Sequence, residues 1–177
     1  MKAVIAIDSF KGSLTSMEAG LAAKEGILKA MDAKVVVKPL ADGGEGTTEA
    51  LVEGLGGIYK SVEVTGPMGL KTQARYGIID NGKTAVMEMA EASGIILVKR
   101  DELDPWKAST TGVGEMIRDA IESGVREFII GIGGSATTEG GIGMLKALGY
   151  EFFDAQGNVL PPVFESLGKV AKITGEH

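Results

Sequence analysis

A chain of 177 residues is long enough for one domain with a real core or for two small lobes. It carries no cysteine, which excludes a disulfide framework and a thiolate zinc site, and its net charge of −6 lacks the basic surplus of a duplex-binding protein. No apolar run approaches the ~18 residues of a membrane helix, and the run before Asp8 is too short for a signal peptide, so a cytoplasmic protein without nucleic-acid or membrane partners is expected.

In chain order, Lys2–Ile7 reads as a short buried strand and Asp8–Ser13 as a loop. Leu14, Met17, Leu21, Ile27, Leu28 and Met31 then recur at helical spacing, with Ser13 or Thr15 as the N-cap and Glu18 three residues after Thr15. Ala33–Leu40 is the next strand, and the glycine loop "ADGGEGTT" feeds a short helix ending at Gly54 or Gly56. Residues 1–57 thus read β-α-β-α, which predicts a parallel sheet with helices packed on it. The block 58–90 differs. Its three alternating segments, with "GPMG" and Asn81-Gly82 as turns, predict antiparallel hairpins and a second α/β lobe over 58–177. Thr110–Gly124 reads as a helix with Met116, Ile117, Ala120 and Ile121 on one face. Arg126–Ile132 reads as a buried strand, the segment up to Gly149 as a helix, and "KVAKIT" as a last strand.

Glycine is the compositional outlier, 27 of 177 residues against a usual ~7%. The glycines cluster between periodic segments, so they mark tight or functional loops. Three such loops could carry chemistry. In "IAIDSFKGS" a strand delivers Asp8 to its carboxyl end, where open α/β sheets bind ligands, with Ser9, Lys11 and Ser13 following. Lys11 could neutralise phosphate oxygens; the plainer reading makes Asp8 and Ser9 turn caps and Lys11 a solvated cation. In "ADGGEGTT", Asp42 and Glu45 lie beside Gly43, Gly44 and a helix start, a place for Mg²⁺ and phosphate together; the plainer reading makes Asp42 an N-cap. In "GIGGSATTEGG", Gly131-x-Gly133-x-x-Ala136 matches the dinucleotide fingerprint, with Glu151 and Asp154 downstream for a ribose. It also fits an anion nest built from Gly133, Gly134 and the Ser135 and Thr137 hydroxyls. No Walker A loop occurs.

The sole histidine is His177 and cysteine is missing, so a general base within this chain must be Asp, Glu, Lys or Tyr. Ser-His-Asp and Cys-His hydrolysis are thereby set aside. Phosphoryl transfer stays open, because it relies on positioning, metal and positive charge with a carboxylate to take the hydroxyl proton.

The segments "AIDSFKGSL", "ADGGEGT", "TTGVGEMI" and "GIGGSATTEGGIGM" occur in this order and resemble the signature segments of the bacterial glycerate kinases without a Walker A loop. The resemblance covers essentially the whole chain. It implies a Rossmann- or flavodoxin-like lobe plus a second α/β lobe, a cleft between them, and transfer of the ATP γ-phosphate to D-glycerate with Mg²⁺, giving 2- or 3-phosphoglycerate. Members of that family are about twice this length, so the chain is expected to be the N-terminal half of a longer protein. By matching segments the resemblance implies Asp8, Lys11 and Asp42 as catalytic, with Ser9, Ser13, Gly43, Gly44, Gly133, Gly134, Ser135 and Thr137 binding substrate or phosphate. It implies Asp42, Glu45 and Glu139 as metal ligands. The family reads "SATNDGG" where this chain has Thr138 and Glu139, and Ile7 stands where many relatives have proline. Two other readings remain: an NAD(P)-dependent oxidoreductase through the fingerprint, and a non-catalytic anion-binding fragment.

Overall fold

The computed structural model describes residues 1–10 and 13–175. Strands β1 (Lys2–Ile7) and β2 (Lys34–Pro39) pair in parallel, Lys2 opposite Lys34 through Ile7 opposite Pro39. Helix α1 (Ser16–Ala30) connects them. Its start is the capping box expected around Thr15: Glu18 N–H donates to Thr15 Oγ1 (3.2 Å), and Thr15 N–H donates to Glu18 Oε2 (2.8 Å). Ser16 Oγ donates to the Ile7 carbonyl and accepts from Leu40 N–H (3.0 Å), so one hydroxyl holds the carboxyl ends of both strands against the helix. Helix α2 (Thr47–Leu55) follows β2.

A mixed sheet comes next, in the order β3 (Ile58–Thr65), β4 (Lys71–Ile79), β5 (Thr84–Glu88), β6 (Glu127–Gly131). The first three strands are antiparallel, as expected; β6 runs parallel to β5. The β4–β5 hairpin turns through Asp80, Asn81 and Gly82, all at positive φ. Between β5 and β6 lie α3 (Ala90–Ser93) and α4 (Thr111–Glu122). The sheet is covered on both faces. Val64, Ala74, Tyr76, Ala85 and Met87 pack on Val113, Met116, Ile117 and Ala120 of α4, while Ile79 and Val86 of the other face pack on Val52 of α2. Period-two alternation therefore leaves β5 buried along its whole length. Helix α2 follows the β1–β2 pair in sequence but packs on β4 and β5. Helix α5 (Ile142–Ala147), the β7 (Glu151–Phe153)–β8 (Lys172–Thr174) hairpin and α6 (Phe164–Leu167) gather round a third cluster of Ile142, Phe152 and Leu160.

Three expectations change. β1 is not a buried strand: its residues alternate, and Val4 is 59% exposed. β6 is likewise only half covered, with Ile129 43% exposed. In both, an apolar run reads the same whether a sheet is covered on one face or two. Ile121 turns away from the buried face of α4, whose inner row is Val113, Met116, Ile117 and Ala120.

Candidate functional site

The carboxyl end of β1 delivers Asp8, whose Oδ1 accepts Ser9 N–H (2.7 Å), and the loop closes where Phe10 and Leu14 bridge. Lys11 lies outside the described residues. The carboxyl end of β2 leads to Asp42, which is not the N-cap of α2. Asp42 Oδ1 accepts Gly44 N–H (2.9 Å) in a tight turn, and the N-cap is Gly46, in the left-handed region and without a side-chain cap. The cap arrives from elsewhere: Glu88 Oε1, at the end of β5, accepts Thr48 N–H (2.8 Å) in the first turn of α2.

These loops open onto a cleft of about 330 Å³ lined by Asp8, Ser9, Ser13 and Glu45 together with Arg75 and Glu88. Of the expected residues, Asp8, Ser9, Ser13 and Glu45 thus meet at one place. Asp42, Gly43, Gly44, Gly133, Gly134, Ser135, Thr137 and Glu139 do not line it among the described residues. Arg75 and Glu88 were missed by sequence reading. The only signal for Glu88 was an acid closing the otherwise apolar alternation of "KTAVMEMA". Burial pushes the Glu88 carboxyl above its ordinary value, against the pull of the Thr48 amide and hydroxyl and the Gly46 amide.

The glycines of the second and third loops explain each other. Gly133 N–H donates to the Gly43 carbonyl (3.2 Å). A Cβ on Gly131 would stand 2.6 Å from the Gly43 carbonyl oxygen, and one on Gly133 2.8 Å from Gly44 Cα. The two glycine loops are pressed backbone to backbone, which only glycine permits. Gly134 (φ 73°) is exposed and left-handed, and its amide and that of Ser135 have no hydrogen-bond partner among the described residues. Gly133, Ala136 and Thr137 amides are already engaged, with Gly43, Ser93 and Ser135 Oγ respectively. The Ser135 and Thr137 hydroxyls face each other (2.8 Å). The expected nest therefore shrinks to two amides.

Glu139 is withdrawn from the metal set. It is 1% exposed, Oε1 accepts Thr110 N–H, the Thr110 hydroxyl and Gly143 N–H, and Oε2 accepts Gly141 N–H (3.1 Å). A carboxylate facing four donors ties the starts of α4 and α5 together and has no open side for a hydrated cation. Among the described residues no group of three or more His, Cys, Asp or Glu could hold a metal ion. Mg²⁺ needs only one or two carboxylates when phosphate oxygens and water complete its shell, and Asp8 and Glu45 on the cleft fit that requirement.

The dinucleotide reading loses its geometry. The fingerprint requires a helix opening at its glycines, but α5 begins at Ile142, and the faces of Gly131 and Gly133 are taken by another loop. Asp154, offered for a ribose, is spent on its own turn, accepting Gln156 N–H, Asn158 N–H and Asn158 Nδ2. Among the described residues no helix is long and apolar enough to cross a membrane.

A profile of the glycerate kinase family matches residues 3–177. The chain is 49% identical over 159 residues to the glycerate 2-kinase of Escherichia coli K12, covering 89% of this chain and 42% of that protein. It is 45% identical to the glycerate kinase of Haemophilus influenzae, covering 98% of this chain and 46% of that protein. The crystal structure of putative glycerate kinase 2 from Salmonella typhimurium LT2 superimposes with a TM-score of 0.90 at 47% identity, over 98% of this chain and 46% of that one. The chain spans about half the length of the relatives it matches.

Proposed function

This chain belongs to the glycerate kinase family, and from that premise we propose that the protein transfers the γ-phosphoryl group of ATP to a hydroxyl of D-glycerate. The observation that carries the reading is the cleft itself: the β1–α1 loop and the start of α2 converge there from the carboxyl ends of two parallel strands. The name of the Escherichia coli relative supports 2-phosphoglycerate as the product.

In this reading Asp8, Ser9 and Ser13 orient the acid, and Lys11 of the same loop neutralises phosphate oxygens. Asp42 holds its loop in register beside Glu45. The free amides of Gly134 and Ser135 donate to an anionic oxygen. Mg²⁺, held by Asp8 and Glu45 with phosphate oxygens, would supply charge neutralisation. Holding the reactants in line supplies the rest, since loose phosphoryl transfer asks for position and field more than for covalent chemistry.

Phosphorus NMR on the protein at the full length of its relatives tests this. ATP, Mg²⁺ and D-glycerate should give one phosphoglycerate, whose coupling pattern names the hydroxyl. Residues 1–177 alone should be weak or inactive. Consumption of ATP without a phosphoglycerate signal would remove the reading.

A further inference from the structure

Glu88 is the buried carboxylate of the cleft, and its capping bond alone does not account for it. Along β5, Thr84, Val86 and Glu88 share the face that looks toward α2, so Glu88 continues an apolar row to the lip of the cleft. It is 7% exposed. Capping the amide of Thr48 does not require an acid, because a neutral serine, threonine or asparagine oxygen caps a helix about as well. A buried acid costs more than those, since its charged form is poorly solvated. Beside it stands a second unexplained group. Thr48 also lines the cleft; its buried Oγ1 makes no hydrogen bond of normal geometry, although its pull on the Glu88 carboxyl shows that the two groups face each other. Buried hydroxyls are nearly always paired, and one left open on a cavity is where a ligand's polar group is rewarded.

The geometry points to Glu88 as a catalytic residue that receives the proton of the acceptor hydroxyl of a short hydroxy-acid in this cleft, with the Thr48 hydroxyl binding the same acid beside it. This rests on the kinase reading above. The acceptor O–H donates to the Glu88 carboxylate. As that oxygen attacks the γ-phosphorus of the nucleoside triphosphate, the new O–P bond forms. The bond from phosphorus to the diphosphate breaks and leaves its electron pair on the departing nucleoside diphosphate. The hydroxyl proton passes to Glu88 and from there to water. The proton affinity of Glu88, raised by burial, suits it to accept a proton nearer neutral pH than an exposed glutamate would.

The decisive variant is Glu88→Gln in the full-length protein. The glutamine carbonyl still accepts Thr48 N–H, so the cap is kept, while proton acceptance is lost. The expected result is a kcat lower by about 10²-fold or more with KM for the acid within about threefold. A variant that turns over within about threefold of wild type overturns the inference and leaves the kinase reading standing. A wild-type protein that phosphorylates no short hydroxy-acid overturns both. A measurement independent of any variant is the wild-type pH profile. The kcat/KM should fall on the acid side at a pH above the ordinary glutamate value of 4.5. A profile flat down to that value overturns the proposal even if the glutamine variant fails to fold. Thr48→Val should raise KM for the acid by about tenfold without lowering Tm, because the hydroxyl it deletes makes no hydrogen bond of normal geometry. An unchanged KM removes Thr48 from the site.

Discussion

The β1–β2 unit and the β3–β6 sheet use the same two kinds of element and bury them differently. In the sheet, β5 is sealed between α4 and α2, and Tyr76, Met87, Met116 and Val64 are fully buried. In the β1–β2 pair every second residue of β1 is exposed, and α1 keeps only Ser16, Ala19 and Gly20 buried. The tightly packed unit sends Glu88 and Arg75 to the cleft; the lightly packed one sends Asp8, Ser9 and Ser13. Packing and cleft lining are thus unevenly divided: the second unit holds the scaffold, and the first supplies most of the loops that ring the cleft.

The largest effect should come from emptying the sealed core. Met116→Ala should cost about 2–5 kcal/mol, read as a shift in denaturant midpoint, because neither face of the sheet can collapse around the gap. Val4→Ala in the open strand should cost within about 0.5 kcal/mol. Equal losses in the two would erase the contrast.

Next comes the loop that bridges the units. Asp42→Asn should lower kcat of the full-length protein by less than about tenfold, because the carboxylate lies off the cleft lining and asparagine can form the same turn. The Gly44 N–H bond survives in asparagine, so Tm should hold. A loss of about 10²-fold with unchanged Tm would instead put the Asp42 carboxylate to work on metal or hydroxyl.

A smaller loss than at Met116 is expected at Asp119, where α4 meets β3 and β4. Burial pushes its carboxyl up, but Lys60 Nζ (2.8 Å) and the Tyr76 hydroxyl (2.6 Å) outweigh that and hold it below its ordinary value of 3.8. A depressed folded-state pKa stabilises above the unfolded value and is lost as pH falls through it. Asp119→Ala should therefore cost about 1–3 kcal/mol at pH 7, partly through the orphaned Tyr76 hydroxyl. The gap to wild type should narrow as pH drops below 3.8, leaving the share owed to the Tyr76 hydroxyl; a gap independent of pH would deny the charge any part.

The smallest effect on folding is expected at Gly134→Val. The residue is exposed, and a Cβ meets only Ala90 Cβ, at 3.3 Å, so the positive φ is the main cost. If its amide binds an anion, KM for ATP or glycerate should rise with the fold intact. A lower Tm with unchanged KM for both would return the position to packing.

Local rules were legible wherever the partners sit close in sequence. The Thr15–Glu18 capping box, the β-α-β-α order, the antiparallel block and the helix from Thr111 follow from spacing and alternation alone. So does the convergence of Asp8, Ser9, Ser13 and Glu45, since strand ends carry them. Illegible were groups whose partner is remote. Glu88 caps a helix 40 residues upstream, Glu139 joins two helix starts 29 and 4 residues away, and nothing local distinguishes either from a solvated acid or a metal ligand.

What the sequence by itself determined is the family and the element order, because these depend on short-range backbone preference and on recurring residue order. Only the tertiary structure decided which loops touch. The glycines of Gly131–Gly134 read equally well as a phosphate cradle, and it took the fold to show Gly43 and Gly44 lying against two of them. A missing Cβ permits close approach without specifying what approaches, and that identity is set by packing between segments some ninety residues apart.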